Sequence, residues 1–141
     1  MNSPVCHPPD AAGLARAVFA EIAEALARLA ETGEETLIDL RSLPFAPTDL
    51  ETLAELLGEG EVRCDLDVAG RSEVRETGFS GVWWTRHFGA DDQVAVDEIC
   101  VAHVPEILAA HPDDVARAAR RMADAVTAPA STADEKDLSR G

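Results

Sequence analysis

The chain has no tyrosine, two tryptophans and four phenylalanines in 141 residues. An interior this poor in rings must be filled by leucine, valine, isoleucine and alanine, and each ring present takes a large share of the packing. Cations are scarce too, with 12 basic residues against 27 acids and a net charge of −15. Such a surface repels nucleic-acid phosphates and anionic membranes, so neither is expected as a partner. The three cysteines, Cys6, Cys64 and Cys100, stand far apart without a Cys-x-x-Cys pair, which argues against both a disulfide framework and a zinc site. No apolar run approaches the ~20 residues of a membrane-spanning helix, and no basic-then-apolar leader follows Met1. The expectation is a cytoplasmic protein with reduced thiols. Nucleophile elbows, phosphate loops and His-Glu-x-x-His are all missing, so no catalytic residue, metal ligand or cofactor is assigned and no enzyme is expected.

What is present is globular in character, with 46% hydrophobic and 28% charged residues. The length suits one domain, expected over residues 10–127 between an irregular lead (1–9) and a disordered acidic tail (128–141). Asp10 is placed to cap a first helix whose Leu14, Val18, Ile22, Leu26 and Leu29 form one stripe, ended by Gly33. A short strand follows at Thr36–Leu40. Pro47-Thr48-Asp49-Leu50-Glu51 opens a second helix, with Thr48 and Glu51 at capping-box spacing.

The densest signals lie between Leu56 and Trp84. Leu53, Leu56 and Leu57 close the second helix, and Gly58 suits the left-handed backbone that often follows a helix end. From Val62 the period becomes two: Val62, Cys64, Leu66 and Val68 alternate with charges, as in a strand with one covered face. Residues 69–72 reverse the chain, Glu73–Phe79 returns alongside, and Ser80-Gly81 makes a corner before Val82-Trp83-Trp84. Beyond it come a strand to Phe88, a turn at 89–92, a valine-rich strand over Gln93–His103 and a short helix with Pro105 at its first position. A last helix opens at His111-Pro112, with Val115, Ala119, Met122 and Val126 on one face. The fold class is therefore α+β: an antiparallel sheet of four to five strands with helices packed on one face.

Candidate functional residues cluster in the same stretch. Adjacent tryptophans on a strand face opposite ways, so one indole enters the core and the other is available on the outer face; the alternative is that both are covered. Tryptophan is favoured at interface hot spots, which makes Trp83 and Trp84 candidate anchors, with Trp84 taken as the outer one. Arg75 and Glu76 on the neighbouring strand, and Phe79 and Val82 at the corner, complete the patch. Glu59 and Glu61 belong to an acidic run, Glu31 to Asp67, with eleven carboxylates and two arginines. Solvation of the surface is its bland explanation, and steering of a basic partner the functional one. Gly58 and Gly81 are expected to be structural turn residues, with positive φ at one or both. Cys100 and His103, three apart on a strand, point to opposite faces and do not converge on one metal.

Leu57-Gly58-Glu59-Gly60-Glu61-Val62, Arg75-Glu76-Thr77 and Phe79-Ser80-Gly81-Val82-Trp83 closely resemble the C-terminal region of the HupH/HyaF family of NiFe-hydrogenase expression and maturation proteins. The resemblance runs over Leu53 to Leu108, with Val104-Pro105 after Asp97-Glu98-Ile99 as its closing pattern. Trp84 stands where many members carry arginine, and Cys100 where they carry an acid. Members are usually about twice this length, so the chain resembles a single module of the family. The resemblance implies a non-catalytic accessory or chaperone-like assembly protein that binds the hydrogenase small, iron–sulfur subunit or its precursor, with other maturation proteins as further candidate partners. A metal- or cluster-handling role in the same assembly is the alternative. Small subunits of many exported hydrogenases carry a signal with paired arginines and an apolar stretch, which an acidic face beside an apolar patch complements. A single-module chain would also be suited to pairing with itself as a homodimer.

Overall fold

A computed structural model describes residues 13–67 and 70–129. Its elements are α1 (Gly13–Thr32), β1 (Thr36–Asp39), a 3-10 turn (Leu40–Ser42), α2 (Pro47–Leu57), β2 (Arg63–Asp67), β3 (Arg71–Glu76), β4 (Val82–Phe88), β5 (Val94–Val101), a second 3-10 turn (Glu106–Leu108) and α3 (Pro112–Thr127). The five strands form one antiparallel sheet in the order β1-β5-β4-β3-β2, confirming the α+β class. The chain divides into two compact units, the first ending at Pro105 and the second beginning at Glu106.

In the first unit the core forms where two periodicities meet. On α1, Ala15, Val18, Ile22, Ala25 and Leu29 recur at three- and four-residue spacing and are buried. They pack with Leu53 and Leu57 of α2 against Ile38, Val82, Trp84, Ile99 and Val101 of the sheet. The last four lie in register, Val82 opposite Val101 and Trp84 opposite Ile99, so one face of β4 and β5 is apolar throughout this stretch. Burying one such Leu, Ile or Val side chain stabilises the fold by about 1.5–3 kcal/mol.

Several boundaries differ from the sequence expectations. Asp10, the lead, the tail from residue 130, and Val68-Ala69 of the first hairpin lie outside the described residues. The capping box is shifted: the N-cap is Ala46, and Asp49 reaches back to accept from its backbone N–H at 2.8 Å. Pro47, favoured at the first helical position, fixes this register, so Thr48 lies inside the helix and does not cap it. Alanine offers no side-chain acceptor, and only half the reciprocal box exists. Strand β3 ends at Glu76, earlier than Phe79, because residues 77–81 form a separate corner. Likewise β5 stops at Val101, short of His103.

On the other sheet face, Glu98 stands directly opposite Asp39. Burial raises the Glu98 carboxyl above its ordinary range, and the Asp39 carboxylate adds to the rise. A carboxyl whose pKa is raised by folding favours the folded state at low pH and loses that advantage as pH climbs from its unfolded pKa through the raised one. Glu98→Gln is therefore expected to gain on the parent chain between about pH 4 and about pH 7, by a few tenths of a kcal/mol as for other cross-strand like-charge pairs. Urea unfolding at both pH values checks this; a constant difference between the two proteins would refute it.

The second unit holds the short 3-10 turn and α3. Pro112 occupies its first turn, and the His111 ring nitrogen Nδ1 accepts from the Asp113 backbone N–H at 3.1 Å. None of its residues is buried. Val115, Met122 and Val126 are 52%, 70% and 82% exposed, an apolar stripe without cover.

Candidate functional site: an apolar groove beside a glycine corner

The corner is built by two chain segments that touch through glycines. Gly58 closes α2 with φ 69°, and its N–H donates to Ala54. The chain then runs past the end of β3, where Gly60 N–H donates to the Glu76 carbonyl at 2.8 Å, and Gly78 N–H donates to Leu57 at 2.9 Å. A β-carbon on Gly60 would lie 2.4 Å from the Thr77 carbonyl oxygen, and one on Gly78 would lie 2.9 Å from that of Leu57. Only glycine lets the two backbones approach this closely. Thr77 closes the turn: its N–H and its hydroxyl both donate to the Val82 carbonyl, at 3.0 and 2.9 Å. Gly81 has φ 92°, so both turn glycines have the positive φ expected of one or both of them.

This corner holds Phe79 away from the core, 43% exposed, with its ring edge-on to Phe19 of α1 at 5.8 Å between centroids. Between Phe79 and α1 runs an open apolar groove of about 420 Å³, with Leu57 and Val82 at its base. Its α1 side is Phe19, Ile22, Ala23, Leu26, Ala27 and Ala30. An adjoining depression of about 500 Å³ shares Leu26 and Ala30 and adds Glu76, Ser80, Gly81 and His103. The added Gly60 β-carbon would meet a Glu76 carboxylate oxygen at 2.9 Å, which places the exposed Glu59-Gly60-Glu61 segment against Glu76. Apolar floor and acidic corner are thus contiguous.

Of the candidate residues, Glu59, Glu61, Glu76, Phe79 and Val82 come together here. Arg75, Trp83 and Trp84 do not join them at the surface. Trp84, expected as the accessible indole, is 3% exposed and belongs to the core. Its phase decides this: Val82, two residues earlier, and its partner Ile99 both face the helices. The Trp84 indole N–H donates to Asp97 at 2.5 Å, and the same carboxylate oxygen accepts from Arg86 Nε at 3.3 Å. The guanidinium carbons of Arg75 and Arg86 lie 5.7 and 5.3 Å from the Trp84 ring, within cation–π range. Trp83 points to the opposite face but is only 7% exposed, its indole N–H donating to the Ala102 carbonyl at 3.1 Å. Both indoles are therefore scaffold, and Phe79 is the exposed ring.

Two features escaped sequence reasoning. Half of the groove wall on α1 is alanine, which hydrophobic periodicity passes over; Phe19 and Leu26, offset from the buried stripe, were its available signal. Asp97 is a buried carboxylate in phase with Ile99 and Val101, and that phase marks it as a core position. Among the described residues no group of three or more His, Cys, Asp or Glu could hold a metal ion. Cys64 is half-buried and Cys100 buried, while Cys6 and His7 lie outside the described residues. No helix among the described residues is long and apolar enough to cross a membrane.

Residues 14–128 match the family model described as HupH hydrogenase expression protein, C-terminal conserved region. The chain belongs to the HupH family. The match extends well beyond Leu53–Leu108, from the first turn of α1 to the end of α3. Over 116 residues the chain is 32% identical to the hydrogenase expression/formation protein HoxQ of Azotobacter vinelandii, covering 81% of this chain and 41% of that protein. It is 27% identical over 122 residues to HupH of Rhizobium leguminosarum bv. viciae, covering 85% of this chain and 43% of the relative. The chain thus spans about two fifths of the length of these curated relatives. A solved structure, the hydrogenase expression protein HupH from Thiobacillus denitrificans, superposes with a TM-score of 0.73 at 46% identity, covering 79% of this chain and 97% of that one. The glycine corner and the groove both fall inside the HupH-matched region.

Proposed function

We propose that this HupH module works by binding, without catalysis, as an accessory factor in hydrogenase maturation. Its client in this reading is the iron–sulfur small subunit or its precursor, whose apolar segment lies in the groove between α1 and Phe79. The observation that carries the reading is the continuity of an open apolar groove with the acidic corner of Glu59, Glu61 and Glu76. A groove of this size suits a few side chains of an extended or helical segment. The carboxylates attract a basic flank, such as paired arginines ahead of an apolar stretch, and raise the rate of encounter. Relatives described as hydrogenase expression/formation proteins support the process, and the site's chemistry supports binding.

The test is binding of a small-subunit precursor, with and without its N-terminal signal, across a salt series. Attraction between exposed charges is screened beyond roughly 8 Å at physiological salt, so affinity for the signal-bearing form is expected to fall as salt rises. Phe79→Asp is expected to weaken binding at least tenfold, mainly through faster dissociation, and Glu59→Lys with Glu61→Lys to slow association. Trp84→Ala, by contrast, reports on folding, since that ring is in the core. Undiminished binding by Phe79→Asp would remove the groove from the reading. Equal affinity for both precursor forms would remove the signal as its target.

A further inference from the structure

The chain carries a second apolar surface, the stripe of Val115, Ala119, Met122 and Val126 on α3. The stripe matches the groove in three respects. Its apolar residues run from position 115 to 126, and the α1 wall of the groove runs from 19 to 30, the same interval, about 16 Å at the helical rise. Ala23, Ala27 and Ala30 on that wall are small and exposed, which leaves room for a second helix at close interaxial distance. Arg117, Arg120 and Arg121 put three of the chain's twelve basic residues on α3 and balance its three acids, so in a chain of net charge −15 this helix meets an acidic rim with little repulsion.

We propose that α3 of a second copy of this chain docks in the groove, and that two copies exchange their helices reciprocally. A two-fold arrangement uses each groove and each stripe once and leaves neither exposed. Two such contacts also double the buried area, which a lasting dimer needs more than a single helix contact supplies. The pairing stands without the client reading. Only its corollary rests on that reading: a client segment and α3 then compete for one groove.

The experiment is the mass of the full chain by light scattering over a concentration and salt series, without any client. The chain is expected to pass from its 15.0 kDa mass to twice that value as concentration rises. Salt should strengthen the pairing, because it screens repulsion between two acidic copies, opposite to its effect on a basic client. Met122→Glu, at an exposed site, and Ala27→Glu, on the groove wall, should each leave a monomer with unchanged helical content. Mixed together, they should form a heterodimer weaker than the parent dimer, because one intact α3 still meets one intact groove. A parent chain that stays monomeric, or cross-links α3 only within one chain, overturns the proposal. So does a dimer that Ala27→Glu leaves intact, which would mean α3 pairs with α3, and so does a mixture that fails to associate.

Discussion

Asp97→Ala is expected to lower the unfolding free energy by about 3 kcal/mol, the size seen when one partner of a buried charged pair is removed. The carboxylate is 5% exposed and serves two donors, the Trp84 indole and Arg86. Without it, the buried indole N–H and a partly exposed guanidinium lose their acceptor together, and the indole, unlike the arginine, cannot turn to water instead. Asp97→Asn retains an acceptor for the indole and gives up only the charge, so it should cost about half as much. Urea unfolding followed by tryptophan fluorescence measures both, since Trp84 reports on the site itself. Equal losses for alanine and asparagine would show that charge, and not the acceptor, is what the site needs. A loss below about 1 kcal/mol for alanine would mean that water reaches the indole.

Gly60→Ala should cost about 2–4 kcal/mol, more than Gly81→Ala at about 1–2 kcal/mol, although only Gly81 has positive φ. At Gly81 the added methyl meets the end of the Leu26 side chain at 3.2 Å, which can turn aside, and the main charge is the backbone conformation. At Gly60 the methyl would overlap a backbone carbonyl at 2.4 Å, and the two segments must part, breaking the bond to Glu76 that joins them. Thermal or urea unfolding of the two variants ranks them. The reverse order would show that the corner yields easily and that strain at Gly81 dominates.

Sequence reasoning was strongest where one residue type has one physical use. The positive-φ glycines, the β4 span and the turn after Phe88 follow from such signals. It was weaker where two arrangements satisfy the same pattern. Adjacent tryptophans must face opposite ways, but parity does not say which faces the helices; that depends on the β4–β5 register, which sets Val82 and Trp84 opposite Val101 and Ile99, and on which face of that pair the helices cover. The capping motif failed for a related reason, because Ala46 and Asp49, with Pro47 at the first helical position, offered a second frame two residues earlier than Thr48 and Glu51. The groove was hardest to read. It is a space between elements, walled in part by alanines that carry little hydrophobic signal, and it is bounded by Phe79, which the corner holds away from the core and against Phe19 of α1.

The bonds that place the corner run between main-chain groups and the Thr77 hydroxyl, and none of them passes through the side chains of residues 79 or 80. Frame and tip are consequently separable. The scaffold can keep its geometry while the tip changes from a ring to an aliphatic or polar group. Under the binding role proposed above, partner preference would drift by single substitutions that leave the fold intact, and a tip transplanted from a relative should carry its selectivity with it.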